Sequence, residues 1–343
     1  MLPAAPAVQT PDWGPRTEQM ALTLTVTLAV ALAVAPTTGA RHGLRFLALG
    51  DWGGVSNPPY HTAREVATAA EMGRTAAARG ADFVLALGDN FYYSGVRSVT
   101  DTRFQDTFES VFKAESLRKV PWYVVAGNHD HSGNVSAQIA YSKVSKRWNF
   151  PNYYYSKQFP VPGFNTTLGL VLIDTVLLCG NTDDFEGAEP EGPQDAGVAR
   201  RQLGWLRRVL AASRDDYLLV AGHYPVWSVA EHGPTRCLLK HLQPLLLKYH
   251  VTAYLCGHDH NLQHLQDKAG VGYVLSGAGN FMEQSRSHAR RVPPGYLHFF
   301  YGEPSSLGGF AYLEADGKEL SVTYIEAGGK VLYKTAMPRR THP

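Results

Sequence analysis

Leu44-Arg45-Phe46-Leu47-Ala48-Leu49-Gly50-Asp51 is an apolar run that stops at a glycine and delivers a carboxylate, and the chain repeats this device four times. Residues 83–87 lead to Gly88-Asp89, 122–126 to Gly127-Asn128, 218–221 to Gly222-His223, and 253–256 to Gly257-His258. Short continuous apolar runs closed by glycine suit strands buried on both faces. Between and after them, residues 62–79, 196–213 and 237–249 carry helical spacing, and residues 168–178 read as one further strand. Residues 309–332 read as short strands broken at Ala315-Asp316-Gly317 and Gly328-Gly329. The expected fold is α/β, a sandwich of two mixed β-sheets flanked by helices. Ligands gather outside the carboxyl ends of strands in such sheets, and a terminal glycine lets the backbone turn there, so the five polar residues are predicted to converge.

The converging set is Asp51, Asp89, Asn128, His223 and His258, with Tyr92 three residues after Asp89 and His260 two after His258. Oxygen and imidazole donors in this mixture suit first-row metals rather than a structural zinc, which prefers cysteine. Seven donors exceed the needs of one ion. Two ions sharing a carboxylate would form a clamp for in-line attack on a phosphoryl group. Each motif alone is weak: a Gly-Asp after a strand is usually a turn, and a single histidine is more often a hydrogen-bonded residue than a ligand. Five such motifs in order, each after its own strand, leave coincidence little room.

Composition frames this reading. The chain has 343 residues, 44% hydrophobic and 18% charged, with a net charge of +2. That balance suits one large globular domain, assigned to residues 41–343, and the interspersed charges exclude the long basic block of a nucleic-acid binder. Residues 1–40 read as an N-terminal extension and signal peptide, with the apolar run Ala21 to Ala35, small residues up to Ala40 and a second possible start at Met20. The run is short of the roughly 20 residues that span a bilayer, so no permanent membrane anchor is expected, and the predicted destination is the secretory pathway, in lysosomes or outside the cell. Export agrees with two glycosylation sequons, at Asn134 and Asn165, and with an oxidising environment for Cys179, Cys237 and Cys256. Cys256 sits inside an apolar run, which leaves Cys179 with Cys237 as the pair to be bonded.

On the five motifs, on Val229 to Thr235 (VAEHGPT), on the cysteine spacing and sequons, and on Ser276 to Met282 (SGAGNFM), the chain resembles the purple acid phosphatases of the calcineurin-like metallophosphoesterase superfamily. The resemblance runs from about residue 43 to Arg340. It implies an acid phosphatase that hydrolyses phosphate monoesters by attack of metal-bound hydroxide at a dinuclear iron-type centre. Fe(III) would lie at Asp51, Asp89, Tyr92 and His260, and Fe(II), or Zn or Mn, at Asp89, Asn128, His223 and His258, with Asp89 as the bridge. A Tyr92 phenolate on the ferric ion would colour the protein purple or pink. The resemblance also allows a second activity, a redox-active iron pair generating reactive oxygen species. Substrates would be phosphoproteins, nucleotides or small phosphate esters, and a monomer is expected.

Two histidines stand next to this donor set. His129 follows Asn128, and His232 lies in Ala230-Glu231-His232-Gly233. With an ordinary pKa near 6.5, both are assigned jointly to substrate binding and to protonation of the leaving alkoxide. Finally, residues 180–195 hold six acidic and no basic residues. The family resemblance implies a repressive loop here, cut by an activating protease between residues 181 and 194, and Asp195 is a candidate to occupy the substrate's electrostatic niche.

Overall fold

A computed structural model of the chain describes residues 42–182 and 187–340, with scattered positions among the first fourteen. The expected leader, Ala21 to Ala35 with its cleavage site, lies outside the described residues. Residues 40–343 form one compact unit. Its strands are β1 (Leu44–Leu49), β2 (Phe83–Ala86), β3 (Trp122–Val124), β4 (Trp148–Asn149), β5 (Tyr155–Pro160), β6 (Thr167–Leu172) and β7 (Tyr217–Ala221). They continue as β8 (Ala253–Cys256), β9 (Leu262–Gln266), β10 (Gly272–Ser276), β11 (Leu297–Tyr301), β12 (Gly309–Ala315), β13 (Glu319–Glu326) and β14 (Val331–Pro338). One sheet runs β14-β13-β12-β1-β2-β3-β4, the other β11-β9-β10-β8-β7-β6-β5. Both are mixed: β1, β2, β3 and β4 pair in parallel while β12 to β14 form an antiparallel meander, and β6, β7 and β8 are parallel beside antiparallel neighbours. The expected fold is the observed one.

The five apolar runs are strands β1, β2, β3, β7 and β8, and every residue of β2, β3, β7 and β8 is buried. One core holds an aromatic cluster around Trp52, whose ring lies 5.3–6.3 Å from those of Phe112, Phe108, Trp122 and Trp148. The helix Ala63–Arg79 begins where Thr62 accepts from the Glu65 N–H, and the helix Ala196–Ala212 begins where Asp195 accepts from the Gly197 and Val198 N–H groups.

Two expectations change. The strand read over 168–178 ends at Leu172, and the helix Thr175–Cys179 follows because Asp174 caps it by accepting from Leu177 N–H at 2.8 Å. An apolar run alone does not separate these states, and the cap decides. The helix read over 237–249 is two, Arg236–His241 and Gln243–Lys248. Pro244 has no N–H to continue the first helix and suits the first turn of the second. Asp195 is exposed, and its carboxylate caps the helix Ala196–Ala212.

The disulfide is Cys179–Cys237, with Cα atoms 5.7 Å apart, and Cys256 is a buried free thiol. It joins the end of the short helix after β6 to the helix that follows the His232 segment. Both sequon asparagines are exposed, Asn134 also capping the helix Val135–Tyr141. Among the described residues no helix is long and apolar enough to cross a membrane.

Candidate metal centre

Each strand-end turn needs a tight approach. Asp51, Asp89 and His258 adopt φ of 56°, 51° and 73°, the left-handed region that non-glycine residues avoid. Such conformations cost about 1–3 kcal/mol each and persist where the surroundings over-determine them, most often at functional sites. The preceding glycines make room. A methyl on Gly88 would lie 2.6 Å from His223 Nδ1, and one on Gly127 would fall on the Asp89 carboxylate, 2.8 Å from its Cγ.

Asp51, Asp89, Asn128, His223 and His258 are all buried, and they meet at one end of both sheets. Asp89, His223 and His258 each offer a donor atom within 4.8 Å of the others. His223 Nε2 lies 3.3 Å from Asp89 Oδ2 and 2.9 Å from Asn128 Oδ1. A second cluster lies beside this one: the Tyr92 hydroxyl is 3.1 Å from Asp51 Oδ1 and 3.0 Å from His260 Nε2, and His260 Nε2 is 3.8 Å from Asp51 Oδ1. All seven residues are therefore brought together in two adjacent subgroups, with Asp89, Asn128, His223 and His258 in one and Asp51, Tyr92 and His260 in the other. His129 and His232 join them. His129 Nε2 is 4.0 Å from Asp89 Oδ2, and the His232 ring stacks on that of His258 at 4.2 Å.

The rings are aimed by partners on their other nitrogens. His223 Nδ1 bonds to Leu87 O at 2.9 Å, His129 Nδ1 to Tyr93 O at 2.7 Å, and His260 Nδ1 to Glu283 Oε1 at 3.0 Å. Asp51 Oδ2 accepts from the His258 N–H at 2.8 Å.

Several positioning residues escaped the sequence reading. Asp130 accepts from Gly127 N–H, Asn90 N–H, Asn90 Nδ2 and Gln138 Nε2 at 2.7–3.1 Å, tying two strand-end turns together. Asp259 accepts from Ser228 Oγ and from the His232 N–H, fixing the His232 segment against the Gly257-His258 turn. His131 binds Asp174 Oδ2 at 2.7 Å, one turn beyond Asn128. Asp130 lies two residues after Asn128 and could have been found there; Asp174 and Asp259 carry no local signal of a distant partner.

The electrostatics ask for positive charge. Burial pushes the Asp51 carboxyl up to about 7, although His223 and His260 pull it down. Asp89 is also pushed up by burial, but His223 and His129 outweigh this and hold it well below the usual carboxylate range. His223 shows the reciprocal effect: burial lowers it, and Asp89 overrides this to carry it to about 10. Burial, with His232 and His223 nearby, holds His258 well below its ordinary value, and its Nδ1 is buried with no hydrogen-bond partner. Two buried carboxylates, neutral imidazole and amide donors and an orphaned ring nitrogen fit metal cations better than protons, because a cation satisfies every donor at once.

The fold and this donor set define a metallophosphoesterase. The chain belongs to the calcineurin-like phosphoesterase family, whose model matches residues 44–262. It is 65% identical over 305 residues to the human tartrate-resistant acid phosphatase type 5, an alignment covering 89% of this chain and 94% of that protein. In structure it is similar to GAP50 of Plasmodium, with a TM-score of 0.74 at 23% identity over 88% of this chain and 90% of the other. It is also similar in structure to the purple acid phosphatase PPD1 of yellow lupin, with a TM-score of 0.58 at 18% identity over 87% of this chain and 54% of the other. At these identities the two structures speak for the fold alone.

Proposed function

We infer that the chain is an acid phosphatase acting on phosphate monoesters at a dinuclear metal centre. The observation that carries the reading is the convergence of two donor clusters on one sandwich end, in a chain 65% identical to an acid phosphatase. Asp51, Asp89, Tyr92 and His260 would hold one ion, Fe(III), and Asp89, Asn128, His223 and His258 the other, Fe(II), Zn or Mn. When bound, such ions neutralise phosphate oxygens and acidify water, so that a nucleophile is available at acidic pH. The chain's own residues do the rest. Leu87, Tyr93 and Glu283 hold the histidine rings in place, and burial of the donors keeps competing water out. His129, 4.0 Å from Asp89, and His232, stacked on His258, would together bind phosphate and protonate the leaving alkoxide.

The phosphatase assay with p-nitrophenyl phosphate, run with metal analysis of the same sample, tests this. The expected result is about two metal ions per chain and turnover that peaks on the acidic side. Metal-free, inactive protein after reconstitution would end the enzyme reading.

Residues 1–40 are assigned as a cleaved leader and 41–343 as the single catalytic domain, with lysosomal or secreted destinations and glycans on Asn134 and Asn165. The segment 181–194 is assigned as an activation loop. Among its described residues, Gly187 N–H binds Glu231 O, next to His232, at 3.2 Å and Glu189 pairs with Arg236 at 3.2 Å, which supports a contact with the His232 segment. Exposed ion pairs of this kind contribute little, about 0–1 kcal/mol, so a cut would release the contact easily. Limited proteolysis mapped by mass spectrometry should place a nick within 181–194, leave two fragments joined by the disulfide, and raise kcat/KM severalfold. A nick there without a rise would reduce the segment to a surface loop.

A further inference from the structure

Away from the metal centre, the helix Ala196–Ala212 presents a face that the proposed phosphatase chemistry does not use. Its sequence repeats an arginine pair, Arg200-Arg201 and Arg207-Arg208, seven residues apart. Seven residues advance a helix by about 10.5 Å and close to two turns, so both pairs lie on one face. Gly197 and Gly204 run between them. A methyl at Gly204 would meet only Arg208 Nη1, at 3.6 Å, so bare backbone forms the floor of a groove walled by guanidinium groups. The groove opens on a cavity of about 540 Å³, closed on one side by Trp205, whose ring packs on Tyr154 with centroids 4.9 Å apart.

All four arginines are exposed, and among the described residues none makes an ion pair or a hydrogen bond. The Asp195 carboxylate, which accepts from the Gly197 and Val198 N–H groups at the head of the helix, interacts with Arg201 and Arg200 and offsets part of their charge. Four exposed guanidiniums between residues 200 and 208 still stand out in a chain whose net charge is only +2. Such a local concentration of charge attracts a polyanion.

We propose that the groove along Ala196–Ala212, walled by Arg200, Arg201 and Arg208 and bounded by Trp205 and Tyr154, binds a sulfated polysaccharide chain. Three features select this ligand. Guanidinium offers parallel N–H donors to oxyanions and holds them better than a point charge does. Charge repeats along the helix, as it does along a polymer whose successive sugar rings carry sulfate. The Trp205–Tyr154 wall offers an apolar face to a ring while the arginines hold its substituents. A peptide would find less here: a helix face has no free main-chain groups to extend a strand, and there is no row of apolar sockets for anchoring side chains.

The test is heparin-affinity chromatography of the full chain. Arg200→Gln/Arg208→Gln is expected to elute at about half the salt concentration required by the natural sequence, because each lost contact lowers the salt dependence of binding. Arg290→Gln/Arg291→Gln removes the same charge from an exposed turn elsewhere and should elute close to the natural protein. Trp205→Ala should weaken retention without any change in charge, and fully desulfated heparin should not retain the protein. Turnover of p-nitrophenyl phosphate, unchanged in the arginine variants, reports intact folding independently of the glycan result. Equal loss in both arginine pairs would show that retention follows net charge and would overturn the proposal. It would be overturned equally by a groove variant that keeps its heparin retention but loses turnover on an acidic phosphoprotein, since the groove would then be a substrate track.

Discussion

Replacing His258 by alanine should lower kcat/KM on p-nitrophenyl phosphate by about 10³-fold or more and remove the divalent ion first. Electrostatic groups at such centres are individually worth two to three orders of magnitude, and a ligand also sets the occupancy of its ion. His258 is neutral by burial, its Nδ1 has no protein partner, and it shares a donor cluster with Asp89 and His223. Tyr92→Phe should behave differently: it removes a donor from the other cluster and should abolish the colour while sparing more of the hydrolysis. Metal content by mass spectrometry, visible absorbance and steady-state kinetics on the two variants check the division. Full metal content and full activity in His258→Ala would refute the donor map.

Asp130→Ala should cost about 3–5 kcal/mol of stability and lower activity as well, although Asp130 is outside the proposed donor set. Its carboxylate accepts four hydrogen bonds in a fully buried place, and burial together with the Asp89 charge pushes it up to about 6. Truncation strands the donors of Gly127, Asn90 and Gln138 without water to replace the loss. Gly127 precedes Asn128 and Asn90 follows Asp89, so the same loss loosens two donors from neighbouring strands. The denaturant midpoint and the metal content should fall together. A stable protein that loses only activity would assign Asp130 a direct role instead.

What could be read from the sequence was local. A strand-terminal glycine and the polar residue after it are adjacent in the chain, and their repetition disclosed the parallel strands and pointed to the candidate donors. The disulfide followed from three cysteines. Where a state depended on a distant or competing group, reading failed. Residues 168–178 look like one strand until Asp174 caps a helix in their middle. Strand β9 hides because Gln263 and His264 are polar yet buried, Gln263 being satisfied by Val229 N–H, Ser228 and Asn261. The Asp130 network joins positions up to forty residues apart, and only the fold reveals that they meet.

The two sheets divide the donors between them. Asp51, Asp89 and Asn128 end strands of one sheet, while His223 and His258 end strands of the other. With cations held at that seam, neither sheet alone retains a complete coordination shell, so parting the layers and releasing metal become one event. The free ion is then a thermodynamic clasp: its concentration enters the folding equilibrium by mass action, as for any ligand that binds only the native state. A chelator should lower the temperature at which the layers separate, and added metal should raise it, with no change in any hydrophobic contact.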